Sequence, residues 1–307
     1  MIISINKKLA HFLLIVFGVL VFVLSNISTE NKKTVFISKE NSPDRTTSIT
    51  PTPTLYQEGA LKKVVEEQMK GAKGKYAIVV KNLRTGESYA SLEHEKFESA
   101  SLYKLWIMAV SFERINKGDL RKEQVLTDDI AKLNETFKIA SEAAELTEGT
   151  VSFTVENALR QMITLSDNYA ALLLSKTIRL SSVTEFLKRN SFRESKIGQP
   201  PQTTAFDIAL FYEKLYRGEL ADQKDTNYML ALLKAQKLNN KIPRFLPEGT
   251  IVAHKTGELG TFSHDAGIVF GEENDYLIVV LSESNAPGGA EERIANLSSA
   301  VYHFFNN

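Results

Sequence analysis

Beyond residue 55, the strand-forming stretches of this chain lie at its two ends, and most of what separates them has helical spacing. Leu61, Val64, Val65 and Met69 recur at the interval of one helix face. Tyr76 to Val80 is β-branched and aromatic, and Arg84-Thr85-Gly86-Glu87 turns it into a second strand, Ser88 to Ser91, predicting a hairpin. Helical patterns follow over 101–117, 153–164, 168–177, 182–189, 204–217 and 226–237. Strand patterns return at 250–256, 264–270 and 275–283, before an amphipathic helix over roughly 289–305. One antiparallel sheet assembled from both ends satisfies this order: an α/β fold in two subdomains. The first and last helices would flank the sheet, the middle helices would form an all-α lobe, and a ligand cleft is expected between the two.

The amino terminus has a different character. Lys7 and Lys8 precede Leu9, Ala10 and His11, and the thirteen residues Phe12 to Leu24 carry no charged or polar side chain. Positive residues before an apolar run make an export signal. The run is shorter than the about 20 residues that span a bilayer, but Leu9 and its neighbours extend it. Val23-Leu24-Ser25 shows no A-x-A cleavage pattern, which favours an uncleaved membrane anchor over residues 1–25. Secretion after cleavage is the alternative. Residues 26–55 are rich in Ser, Thr, Asn, Lys and Pro and end in Thr50-Pro51-Thr52-Pro53-Thr54. Too few apolar side chains are present to offset the ordering entropy, so a disordered tether is expected. The domain proper would occupy 56–307, outside the cytoplasm.

Composition removes several classes of function. The 37 basic and 37 acidic residues cancel, so nucleic acid is not an expected partner. The chain has no cysteine, which excludes disulfides, thiolate metal sites and a cysteine nucleophile. The five histidines, His11, His94, His254, His264 and His303, are scattered, and His94-Glu95 is followed by Glu98 where a zinc hydrolase has its second histidine. Neither a metal nor another cofactor is expected, and nothing suggests an obligate interface, so a monomer is expected.

Three short motifs remain. Ser101-Leu102-Tyr103-Lys104 opens an apolar helix. Positions i and i+3 share a face, so Lys104 can activate the Ser101 hydroxyl if apolar surroundings depress its pKa. The pattern alone is weak, since Ser4-Ile5-Asn6-Lys7 matches it in the export segment. Ser166-Asp167-Asn168 falls between two helical runs, where such residues also serve as helix caps. Lys255-Thr256-Gly257 ends the apolar stretch Thr250 to His254, where a polar turn is equally ordinary. Their conjunction, in this order and on these elements, is the informative observation.

With these motifs, 56–307 resembles the class A β-lactamases and penicillin-binding proteins, whose signature set they match. The resemblance implies that Ser101 forms an acyl-enzyme and that Lys104 is, or assists, the acylation base. It further implies that Ser166 relays a proton to the departing ring nitrogen and that Asn168 holds the substrate's side-chain amide. Lys255 and Thr256 would meet the substrate carboxylate. The oxyanion hole would be the backbone N–H groups of Ser101 and Glu258, the residue after Gly257.

One part of the family pattern is missing. Class A enzymes carry Glu-x-x-Leu-Asn before the helix that here begins Thr203-Thr204-Ala205-Phe206-Asp207, and its glutamate activates the deacylating water. Only 34 residues, 169–202, separate Asn168 from Thr203, and none forms that motif. Glu185, Glu194, Gln199 and Gln202 are the candidates left, the two glutamates reading more readily as solvated surface charges. Glu258 also departs from the small residue usual at its position, and there it would either disfavour anionic substrate groups or point to solvent. Three functions stay open: a β-lactamase, possessed of slow turnover unless another group activates water; a D-Ala-D-Ala peptidase or penicillin-binding protein acting on peptidoglycan stem peptides; and a non-hydrolysing penicillin sensor.

Overall fold

The computed structural model describes residues 59–306. The anchor expected at 1–25 and the tether expected at 26–55 lie outside the described residues. Helix α1 (Ala60–Met69) leads into β1 (Lys75–Asn82) and β2 (Ser88–Ser91), and the chain then crosses β3 (Phe97–Glu98) and a 3₁₀ turn, Ala100–Tyr103. Next come α2 (Lys104–Asn116), β4 (Val125–Asp129), α3 (Ile130–Thr136), β5 (Thr150–Thr154), α4 (Val155–Thr164), α5 (Asn168–Ile178) and α6 (Leu180–Arg189). Then follow β6 (Gln202–Thr203), α7 (Ala205–Tyr216), α8 (Gln223–Lys234), β7 (Ile251–Leu259), β8 (Phe262–Phe270), β9 (Tyr276–Glu283) and α9 (Pro287–Asn306). Five strands form one antiparallel sheet in the order β2-β1-β9-β8-β7. The first and last strands of the described residues meet where β1 pairs with β9 over their full lengths.

The sheet is covered on both faces, and the period-2 alternation of its strands distributes side chains between two cores. Along β9, Leu277, Val279 and Leu281 face the helical lobe, while Ile278 and Val280 face α1 and α9. The same division holds in β1, where Ala77 points to the lobe and Tyr76, Ile78 and Val80 point the other way. A one-residue slip of register would exchange these sets and expose both cores. The lobe core is continuous with the inner face of the sheet and contains Trp106, Phe112, Leu159, Phe186 and Phe211.

Local chemistry starts the helices that the patterning predicts. Asp129, Thr154, Asp167, Thr204 and Asp222 each accept a hydrogen bond from the backbone N–H three residues on, capping α3, α4, α5, α7 and α8. Two expectations need correction. The predicted helix over 153–164 begins at Val155, because Phe153 and Thr154 pair with Leu126 and Val125 in a two-stranded β4–β5 sheet. Nor does the chain turn at Lys255-Thr256-Gly257: β7 continues through these residues to Leu259, paired with β8 throughout. The apolar pattern ends at His254, but the ladder does not, because backbone pairing needs no apolar side chain.

Gly267 lies opposite His254 in that ladder, where a Cβ atom would stand 2.5 Å from the His254 Cβ and 2.6 Å from the Ala253 carbonyl oxygen. Neither neighbour is the end of a flexible chain. Gly267→Ala is therefore expected to lower stability by about 1–3 kcal/mol or more, read from the urea midpoint. An unchanged midpoint would show that β7 and β8 are not held this tightly.

Candidate functional site

The site is built where the free edge of β7 meets the 3₁₀ turn that carries Ser101. Gly257 makes that approach possible. A Cβ there would lie 3.1 Å from the Ser99 carbonyl oxygen and 3.3 Å from both the Ala100 Cβ and the His264 ring. His264 in turn fastens the segment from below. Its Nε2 donates to the Glu98 carbonyl at 2.8 Å and its Nδ1 accepts from the Ser282 N–H at 3.0 Å. Burial lowers its pKa to about 4, so this neutral tautomer persists at physiological pH.

Ser101 opens no regular α-helix; it lies in the 3₁₀ turn, and α2 begins at Lys104. Side chains at i and i+3 of a 3₁₀ turn share a face, so Ser101 and Lys104 leave the backbone on the same side at the junction of the turn with α2. Ala100, immediately before the serine, has φ 43°, a left-handed conformation that costs a non-glycine residue about 1–3 kcal/mol.

Lys104 is fully buried, and three oxygens surround its amine. Nζ donates to the Ser166 carbonyl at 2.5 Å, to the Ser166 Oγ at 3.2 Å and to the Asn168 Oδ1 at 2.7 Å. Ser166 offers both its oxygens because it adopts φ 60°. Within Ser166-Asp167-Asn168 the labour is divided: Asp167 caps α5 through the Ala170 N–H at 2.7 Å, leaving the flanking residues to face Lys104. Burial pulls the Lys104 pKa down to about 7, against the opposing charges of Glu145 and Asp167.

Lys255 approaches the same hydroxyl from β7. Its Nζ donates to the Ser166 Oγ at 3.0 Å and to the Thr256 carbonyl at 2.8 Å. Burial lowers its pKa too, and the neighbouring Lys104 charge lowers it further. Ser166 thus bridges two amines whose charges oppose each other. Thr256 is buried on β7 opposite Asp265, and Glu258 is exposed at the rim. Glu258 is ion-paired with the fully buried Lys241, which also lies 4.0 Å from Glu291. The pair joins β7 to the segment after α8 and offsets the Glu258 charge, so Glu258 does not simply point to solvent.

Hydrogen bonds through Ser166 and Asn168 thus join Lys104 and Lys255, with Ser101 in the adjoining 3₁₀ turn and Thr256, Gly257 and Glu258 following Lys255 along β7. The four candidates for water activation are not among them. Glu185 is exposed on α6. Glu194 is occupied by His94 at 3.0 Å and the Thr204 hydroxyl at 2.8 Å. Gln199 donates to the Phe137 carbonyl, and Gln202 pairs with Glu98 between β6 and β3. Motif reading overlooked Lys241, and it overlooked Glu145, whose Oε1 accepts from the Asn168 Nδ2 at 2.5 Å. Glu145 stands in a polar stretch with Glu142 and Glu148, and no spacing in the sequence distinguishes it from them.

Comparison with known proteins bears on the family and the fold. A family model described as the β-lactamase enzyme family matches residues 60–305. β-Lactamase VEB-1 of Pseudomonas aeruginosa is 22% identical over 272 residues, covering 79% of this chain and 89% of that protein. Among solved structures, PBP-A superposes with a TM-score of 0.71 at 22% identity, covering 80% of this chain and 95% of its own. A β-lactamase from Sphaerobacter thermophilus gives 0.71 at 22% identity, with 81% and 98% covered. At such identity the structural likeness establishes a shared fold.

The burial of Lys104 has a direct spectroscopic consequence. In lysine side-chain NMR, one amine is expected to titrate near pH 7, far below the ordinary lysine value. Lys104→Arg should remove that signal, because arginine keeps its proton. A spectrum in which every lysine titrates above pH 9 would contradict the site described.

Proposed function

The chain belongs to the β-lactamase enzyme family, a hydrolase family, and on that premise we propose that it is a serine hydrolase acylated at Ser101 by β-lactams. Neutral Lys104 takes the Ser101 proton as Oγ attacks the lactam carbonyl carbon. The carbon–nitrogen bond then breaks, the ring nitrogen receives the proton of the Ser166 hydroxyl, and Lys104 returns its proton to Ser166. The backbone N–H groups of Ser101 and Glu258 receive the oxyanion. Lys255 and Thr256 bind the substrate carboxylate, and Asn168 its side-chain amide. Water afterwards cleaves the Ser101 ester.

The observation that carries this reading is the pair of hydrogen bonds that the Ser166 hydroxyl accepts, one from Lys104 and one from Lys255. It gives Lys104 a direct link to the hydroxyl that would protonate the leaving nitrogen. It also couples binding to activation. A substrate carboxylate beside Lys255 restores that ammonium's charge, and the restored charge pushes Lys104 toward its neutral, basic form. In support, a PBP-A variant with the same fold, TM-score 0.70 at 22% identity, has been captured as an acyl-enzyme complex with penicillin G.

A second reading, a D-Ala-D-Ala peptidase or penicillin-binding protein, rests on the missing Glu-x-x-Leu-Asn. It uses the same serine chemistry on a stem peptide. Either activity would operate outside the cytoplasm, since the apolar segment Phe12 to Leu24 behind Lys7 and Lys8 is best explained as an anchor or signal. Among the described residues, no helix is long and apolar enough to cross a membrane.

Incubation with a penicillin followed by intact-mass measurement tests the proposal. A transient adduct on the wild type, absent from Ser101→Ala, is the expected result for a lactamase. A persistent adduct favours the peptidase reading, and no adduct removes the serine mechanism. The sign of the pH dependence is set by Lys104. Its neutral form is the base, so acylation should rise about tenfold per pH unit below about 7 and level off above it. A rate independent of pH between 5 and 8 would exclude Lys104 as the base.

A further inference from the structure

The geometry points to Glu145 as the general base for the water that releases the acyl group from Ser101. The inference rests on the acylation reading above and supplies its missing step. Glu145 lies between α3 and β5, in a stretch that the family motifs do not include. Its carboxylate accepts from Asn168, whose other amide atom accepts from Lys104. A single amide group therefore separates this carboxylate from the Lys104 amine.

The position is anchored. The next residue, Leu146, has both its backbone groups held by one hydroxyl of α5. Its N–H donates to the Tyr169 hydroxyl at 3.0 Å, and its carbonyl accepts from that hydroxyl at 2.6 Å. The Asn134 amide donates to the same carbonyl at 2.8 Å. Tyr169 follows Asn168 directly, so the residue that fixes the loop and the residue that binds the carboxylate belong to one helical turn. Glu145 itself is exposed, so water reaches its free oxygen. The other carboxylates considered, Glu185 and Glu194, are solvated on α6 or committed to His94 and Thr204.

The step balances without another reactant. Glu145 accepts one proton from water while the water oxygen bonds to the ester carbonyl carbon. The carbon–Oγ bond of Ser101 breaks, Oγ takes up the proton from the Glu145 carboxyl, and carboxylate and serine are both regenerated. The product is the ring-opened acid.

Glu145→Gln tests this cleanly, because the amide oxygen can still accept from Asn168 but cannot take a proton from water. With a chromogenic cephalosporin and intact-mass time courses, Glu145→Gln should still form the adduct, any change in its acylation rate being small beside the loss in release. Its adduct should then persist about 10²–10⁴-fold longer, with Glu145→Asp in between. Release as fast as wild type would overturn the assignment. So would equal loss of acylation and release, which would make Glu145 only a support for Asn168 and Lys104. A wild-type adduct as persistent as the mutant's would overturn it while leaving acylation intact. Absence of any wild-type adduct would instead overturn the acylation reading on which it depends.

Discussion

A lysine amine placed where water cannot solvate it organises the cleft. Removing a charged ammonium from water is costly, and the protein meets that cost in two ways. It surrounds Lys104 with the two oxygens of Ser166 and the amide oxygen of Asn168, and it lets the amine lose its proton near neutrality. Both measures depend on distant parts of the chain arriving together. Ser166 must adopt a left-handed backbone to present two oxygens at once, Asp167 must cap α5 so that its neighbours remain free, and α2 must start where the 3₁₀ turn ends.

The sheet provides the opposite wall. As an edge strand, β7 keeps one side unpaired with other strands, and the 3₁₀ turn occupies the space beside it. Gly257 permits contact, His264 holds β3 against the ladder, and Lys255 reaches across to the hydroxyl that Lys104 already holds. Two amines on one hydroxyl is an arrangement of like charges that is stable only if at least one is neutral, or if an anion joins them. Under the proposed function an anionic substrate would be that anion, and its binding and the activation of Lys104 would draw on the same electrostatic balance.

Glu145 and Glu258 show how carboxylates acquire different meanings from their surroundings. Glu258 sits near the end of β7, but Lys241 offsets its charge from a fully buried position. Glu145 belongs to an acidic stretch between secondary-structure elements, yet Tyr169 and Asn168 tie its segment to the start of α5, beside Lys104. The family's water-activating segment is absent between Asn168 and Thr203, and a carboxylate approaches the site from the other side of Asn168.

The fold class was legible in the residues because periodicity records burial locally. The alternation of β1 and β9, the helix face containing Leu61 and Val65, and the hairpin turn at Gly86 each report on neighbours a few positions away. The three motifs were legible as well, since Ser101 and Lys104 share one turn and Ser166-Asp167-Asn168 starts one helix. The extent of β7 beyond His254 was not, because ladder pairing is a property of the partner strand β8. The pairing of Val125–Asp129 with Thr150–Thr154 joins two half-polar segments, whose weak patterning gives no local sign of a sheet. Lys241 and Glu145 were hidden for the same reason. Nothing within a few residues of either tells a charged side chain that it will meet Glu258 or Asn168, and only the packing of separate elements brings those partners within hydrogen-bonding distance.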